Sequence, residues 1–300
     1  MQKALVIGYG SIGKKHYNYL KNLNVFDIIN ISSKHLPSSS KNLKSQKDII
    51  KYNPEYIVIA NNSSLHFDTL NFLNSNFKNI KIYIEKPLFI KFQKIKLNHN
   101  NKVLVGYNLR QHQGINFLKK FIKKKEVKYA EIKCTSYLPK WRKQNYKYTS
   151  SANKSLSGDI IFELSHEIDY ANLLFQKLNP VYCNLKKISN LEIRSNDFFF
   201  GNFKSIKCKN INIHLGYYDK IPERYIKIIT KNESLKLDFL TGELLFNSKK
   251  HYRRNFLFDI NKSYIESHIS FINNRYEHLC SFTEGEELVR IINKIYKKLI

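Results

Sequence analysis

The stretch Gly8-Tyr9-Gly10-Ser11-Ile12-Gly13 constrains the fold of this chain more than any other part of it. It follows the apolar run Ala4-Leu5-Val6-Ile7 and opens a helical pattern, so it sits where a strand turns into a helix. At that seat the first glycine permits a tight turn, the second lets backbone approach a pyrophosphate, and the third lets helix and strand pack closely. The backbone of Gly8, Gly10, Ser11, Ile12 and Gly13 then faces an anion with the unpaired N–H groups of a helix N-terminus. The chain has ten glycines, so the spacing alone is weak; its place directly after the first strand-like run is what predicts a dinucleotide site.

Strand-like runs at Ala4–Ile7, Phe26–Ile31, Tyr56–Ala60, Ile80–Ile84 and Val103–Tyr107 alternate with helical patterns at Ser11–Leu23, Leu65–Leu73 and Leu88–Leu97. Such alternation is the signature of βαβ units on a parallel sheet. Beyond Tyr107 the rhythm changes. A helix near Ile115–Lys124 and a strand near Tyr129–Ser136 lead into a polar, aromatic loop over Pro139–Ser157, then a helix over Asp159–Phe175. Strand-like runs follow at Val181–Ile188, Phe198–Phe203, Ile211–Tyr218, Tyr225–Thr230, Leu235–Phe239 and Leu244–Phe246, with short turns that suit antiparallel neighbours. Helices are expected at Lys262–Ile272 and Thr283–Leu299. The predicted class is α/β: a doubly wound Rossmann domain over residues 1–107, and an α+β domain with an open, largely antiparallel sheet over 108–300.

A chain of 300 residues with 42% hydrophobic content can bury a core in each of two domains. No segment reaches the roughly 18 apolar residues of a membrane span, and the apolar stretch after Met1 stops at Gly8, too early for a signal peptide. A cytoplasmic protein without a membrane partner is expected. Cys134, Cys183, Cys208 and Cys280 stand far apart, which suggests reduced thiols and no metal site. The net charge of +27 invites a nucleic-acid reading, but the lysines are spread along the chain and no nucleic-acid-binding motif accompanies them. Clusters such as Lys123-Lys124-Lys125 read as solvated faces.

Five stretches in order, Val6 to Gly13, Tyr56 to Asn61 with His66, Glu85-Lys86-Pro87, Gly106-Tyr107-Asn108-Leu109-Arg110, and Glu163-Leu164-Ser165-His166-Glu167-Ile168-Asp169, resemble the Gfo/Idh/MocA family. The resemblance runs over nearly the whole chain. It implies an NAD(P)-dependent oxidoreductase that moves hydride to or from a carbon of a sugar, cyclitol or related polyol, and a homodimer or homotetramer built through the open sheet. It places Lys86 at the nicotinamide, usually with a cis peptide to the following proline, with Glu85 beside it and Asn61, Asn62 and His66 along the nicotinamide half. It makes His166 the acid/base, a role imidazole suits because it titrates near neutral pH. Arg110 and Asp169 fall toward the substrate.

The chain departs from the family pattern in one place. An aspartate is common four residues before the histidine, after a glycine triplet; here Glu163 stands three before it, and Ser157-Gly158-Asp159 replaces the triplet. Positions i and i+3 share a helix face, so Glu163 can neighbour His166, with Asp169 as the other candidate to orient the ring. Ser32-Ser33-Lys34 stands where NAD enzymes usually carry an acidic residue after the second strand, which favours NADP over NAD. The loop containing Trp141, Arg142 and Tyr148 resembles that of members acting on surface-polysaccharide sugars. Aromatic rings and arginine there suit an acidic or nucleotide-linked sugar, while a basic solvated loop is the plainer reading. A cofactor-binding regulatory or assembly protein without turnover is the alternative to an enzyme.

Overall fold

The computed structural model describes residues 2–31, 42–43, 45–153, 158–247 and 252–299. In chain order its elements begin with β1 (Gln2–Ile7), α1 (Ser11–Asn22), β2 (Phe26–Ile31), β3 (Asn42–Leu43), α2 (Gln46–Tyr52), β4 (Tyr56–Ile59), α3 (His66–Asn76), β5 (Lys81–Ile84) and β6 (Lys102–Val105). Then come α4 (Gln113–Phe121), β7 (Val127–Tyr137), α5 (Ile160–Glu163), α6 (His166–Phe175), β8 (Asn179–Lys186), β9 (Phe198–Lys204), β10 (Ile211–Gly216) and β11 (Tyr218–Thr230). The chain ends with β12 (Ser234–Asp238), β13 (Glu243–Asn247), β14 (Tyr252–Asn255), α7 (Ile260–Ile272), β15 (Cys280–Ser281) and α8 (Phe282–Lys297). Among the described residues no helix is long and apolar enough to cross a membrane.

Two compact units result. One is Met1–Asn108 with Ile260–Glu286, the other Leu109–Asp259 with Glu287–Ile300. The sequence reading puts everything after residue 107 in a single domain. The structure differs by returning α7 and β15 to the first unit, because α7 packs on α1 and Phe271 and Leu279 complete that unit's core with Ala4, Val6, Leu20, Val58 and Tyr83.

The first unit is a sheet in the order β15-β6-β5-β4-β1-β2-β3. All its pairings are parallel except that of β15 with β6. The four residues of β4 and the last four of β1 are all buried, as expected for strands covered on both faces. The winding reverses between β1 and β4, and in open sheets of this kind ligands bind beyond the strand ends at such a reversal. The expected helix at Leu88–Leu97 does not form. Leu88 and Phe89 are buried as immediate neighbours and Ile95 and Leu97 alternate, which is not a helical stripe. The segment's backbone pairs instead with a side chain of α3: Asn74 donates to the carbonyl of Lys96 and accepts from the N–H of Asn98.

The second unit carries an eight-stranded sheet in the order β14-β13-β12-β11-β7-β10-β9-β8. It is antiparallel except where β10 runs parallel to β7. Residues of β11, β12 and β13 alternate between buried and partly exposed, so one face is covered and the other open. The single helix expected over Asp159–Phe175 is two helices. Leu164 leaves helical geometry at ψ 32°, and α5 packs on β9 and β10 whereas α6 packs on α4 and β7.

Candidate active site

The three glycines of the turn differ in the space around them. A Cβ on Gly8, which has φ +97°, would lie 2.6 Å from the Ala60 carbonyl oxygen, and one on Gly13 would lie 2.2 Å from that of Gly8. These two glycines close the turn between β1, β4 and α1. Gly10 is different: a Cβ there would meet no atom of the described residues within 4 Å. The open side belongs to the N-cap of α1, whose first turn includes Ser11 and Ile12 and carries no acidic side chain. Bare N–H groups, the positive end of a helix and a glycine with free space before it fit a pyrophosphate. Ser32, Ser33 and Lys34, expected at the ribose, lie outside the described residues.

Lys86 stands two residues past β5, at the carboxyl edge of the sheet that also carries the Gly8 turn. It is partly exposed, and its bond to Pro87 is cis. His66 stitches this turn to the end of β4. Its Nδ1 lies 2.9 Å from the Pro87 carbonyl oxygen and its Nε2 lies 3.3 Å from that of Asn61. Burial lowers its pKa, so it is a neutral ring with one N–H, and the shorter contact is the better hydrogen bond. Asn61 donates to Thr69 and Asn62 accepts from the Ser64 N–H, so both side chains shape the loop after β4. Glu85, expected beside the cofactor, points into the protein. It is 6% exposed and its Oε1 lies 2.7 Å from His16 Nε2. Gly106 makes room for it: a Cβ there would stand 3.0 Å from the same oxygen.

In the second unit His166 is the first residue of α6 and is partly exposed. Two ion pairs hold its helix, one buried and one part-buried. Arg110 donates from Nε to both oxygens of Asp169 at 3.1 Å and from Nη2 to Oδ1 at 2.6 Å. Arg224 donates to Glu167 Oε1 from Nε at 2.9 Å and approaches it with Nη2 at 2.8 Å. Both carboxylates stand in the first turn of α6, where the helix dipole favours negative charge. Arg110 and Asp169, expected toward the substrate, are thus bonded to each other. Glu163 ends α5 rather than sharing a helix with His166, and its carboxylate accepts from Ser151. The shared-face argument for it fails where the helix breaks.

Burial, and then the charge of Arg224, pull His112 down to about 4; its Nδ1 caps α4 by accepting from the Gly114 N–H. Sequence periodicity had no means of finding Arg224 or His112 in this cluster. The aromatic loop is mixed. Trp141 is partly covered, donating from Nε1 to Ser136 and setting its edge on the Tyr217 ring, whereas Arg142 and Tyr148 are exposed. The four cysteines are buried, and burial raises Cys134 and Cys183, so neither is an activated thiol. Among the described residues no group of three or more His, Cys, Asp or Glu side chains could hold a metal ion.

Residues 2–100 match the Gfo/Idh/MocA family model, described as an oxidoreductase family with an NAD-binding Rossmann fold. Over those residues the chain is similar to the NAD-binding domain of that family. The matched stretch takes in the glycine turn, the β4 loop and the Glu85-Lys86-Pro87 turn. Comparison with curated protein sequences finds no match. Among solved structures, the chain is similar to UDP-N-acetylglucosamine 3-dehydrogenase from Acidithiobacillus ferrooxidans, with TM-score 0.77 and 14% identity, over 99% of this chain and 97% of that one. It is also similar to the WlbA dehydrogenase from Bordetella pertussis, solved with NADH and UDP-GlcNAcA, with TM-score 0.76 and 14% identity over 99% and 96%. A levoglucosan dehydrogenase solved with NADH gives TM-score 0.79 and 14% identity over 99% and 98%. These likenesses establish the fold.

Proposed function

We propose that this chain is an NAD(P)-dependent oxidoreductase acting on a CH–OH group of a sugar, sugar acid or nucleotide-linked sugar. The observation that carries the reading is the pairing, on one sheet edge, of a glycine turn with open space at Gly10 and a lysine held just past β5. A bound nicotinamide supplies the hydride acceptor or donor. Oxidising an alcohol removes a hydride from carbon and a proton from oxygen. Lys86 donates a hydrogen bond to that oxygen and orients it, and His166 takes the proton, returning it in the reverse direction. The ion pairs of Glu167 and Asp169 fix the helix that presents His166, so Arg110 and Asp169 act as its support.

Two proteins of similar fold support the sugar class: a UDP-N-acetylglucosamine 3-dehydrogenase and a dehydrogenase solved with UDP-GlcNAcA. Exposed Arg142 pairs with carboxylate or phosphate, and Tyr148 covers an apolar sugar face. NADP is the favoured cofactor because Ser32-Ser33-Lys34 carries no carboxylate to repel a 2′-phosphate. The open face of the second sheet, with Tyr182, Phe198 and Phe200 uncovered to different degrees, suits a homodimer or homotetramer.

A panel of neutral polyols, sugar acids and UDP-sugars, read by nicotinamide absorbance with each cofactor, tests the reading. Turnover of an anionic sugar that falls on Arg142→Ala supports it. Turnover of a neutral cyclitol untouched by Arg142→Ala overturns the substrate class. Tight NADPH or NADH binding with no turnover across the panel favours the regulatory alternative.

A further inference from the structure

Behind the Lys86 turn lies a buried chain of four side chains, three from separate elements and one from the turn itself. Glu85 Oε1 is 2.7 Å from His16 Nε2, His16 Nδ1 is 2.8 Å from His268 Nε2, and His268 Nδ1 is 2.7 Å from Tyr56 Oη. His16 belongs to α1, His268 to α7, Tyr56 to β4, and Glu85 directly precedes Lys86. Both histidines are 0% exposed and Tyr56 is 2% exposed. Burial, and then the neighbouring His16, push His268 well below the ordinary histidine range, and burial keeps the Tyr56 phenol protonated. His268 therefore has a single N–H.

A carboxylate has no proton to give, so His16 must donate from Nε2 to Glu85 whichever way the other two bonds run. With His16 neutral, its Nδ1 accepts from His268 Nε2, and His268 Nδ1 accepts from the Tyr56 hydroxyl. With His16 protonated, its Nδ1–H donates to His268 Nε2 and His268 Nδ1–H donates to the Tyr56 oxygen, so the same three contacts remain hydrogen bonds. The rings of Tyr83 and Tyr264 close the site, each 5.3 Å from the His16 centroid. The two histidines are fully buried, so a partner lost between them is not replaced by bulk water.

We propose that His16 is a positioning residue for Lys86: through Glu85 it ties the lysine turn to α1, the helix whose N-terminus forms the pyrophosphate cradle, and His268 and Tyr56 brace it from behind. The inference rests on the reading of Lys86 as a nicotinamide-side residue. It gives Glu85 a task inside the protein, and it gives α7 one too, as the source of the brace.

Two substitutions separate the bonds His16 makes. His16→Gln places an amide N–H near the Nε2 position and keeps the donor to Glu85; His16→Asn places its amide near the Nδ1 position and keeps only the bond to His268. Competitive labelling of lysines with an amine-reactive anhydride, with and without NADH and resolved by peptide mass, reads how the cofactor shields Lys86. NADH fluorescence and thermal melting run beside it. In wild type and His16→Gln, NADH shields Lys86; in His16→Asn, which still binds NADH, that shielding is lost. A role confined to holding α1 against α7 predicts the reverse order, with Asn the better tolerated. Equal shielding in both variants overturns the proposal. Should His16→Asn not fold, Glu85→Asp shortens the carboxylate by one methylene and must also lose shielding, and retained shielding there overturns the proposal as well. Absence of shielding in wild type, by contrast, sinks the reading of Lys86 itself.

Discussion

Gly10→Ala separates the cofactor cradle from the fold around it. Gly10 has φ −72° and ψ −169°, a conformation alanine adopts without strain, and the added Cβ meets no atom of the described residues within 4 Å. The apo-protein should be unharmed, and the loss of chain entropy in the unfolded state stabilises it by about 0.4–1 kcal/mol. The methyl group nonetheless occupies the space through which a pyrophosphate approaches the backbone. Losing one charge-assisted hydrogen bond from a cradle N–H costs about 1.5–3 kcal/mol, so NADH affinity should fall about 10- to 100-fold. Gly13→Ala is the contrast, because its Cβ would lie 2.2 Å from a backbone oxygen and must disrupt the turn itself. Fluorescence titration with NADH and NADPH, set beside thermal melts of both variants, gives the assay. A Gly10→Ala protein with wild-type affinity, or one that melts as early as Gly13→Ala, would refute the reasoning.

Acid should weaken the second unit through His112. Its folded pKa is lowered to about 4, so its contribution is intact above the unfolded value and is lost as pH falls from there toward 4; at roughly pH 5 the loss is about 2 kcal/mol. His112→Asn keeps an acceptor for the Gly114 N–H and titrates nowhere in that window, so its urea midpoint should vary less with pH, and an unchanged slope would contradict the assignment. Wild type should bind NADPH more tightly than NADH, and Lys34→Asp should narrow or invert that preference; tighter NADH binding by the wild type rejects the role given to Ser32-Ser33-Lys34.

The parts legible from sequence were those whose physics is local. The glycine turn needs three particular backbones within a few residues, and the buried strands β1 and β4 announce themselves as unbroken apolar runs. What escaped depends on contacts between distant segments. His16 and His268 are 252 residues apart, and nothing in the pattern of α7 tells which sheet it will cover. The apolar residues of Leu88–Leu97 suggested a helix, but pairing with Asn74 competes for that segment's backbone. Glu163 and His166 looked like one helical face until α5 and α6 found different partners. The resemblance placed Arg110 and Asp169 toward the substrate, and their pairing with each other could be seen only once the chain was folded.

The proposed chemistry is tested most directly by single-turnover and steady-state rates of Lys86→Ala and His166→Ala, measured on whichever sugar the wild type turns over. Each substitution should lower kcat by roughly 10²- to 10⁴-fold while NADH affinity stays within about threefold, because each removes a group that acts on the reacting oxygen and leaves the glycine cradle intact. Near-normal turnover in Lys86→Ala would contradict the account.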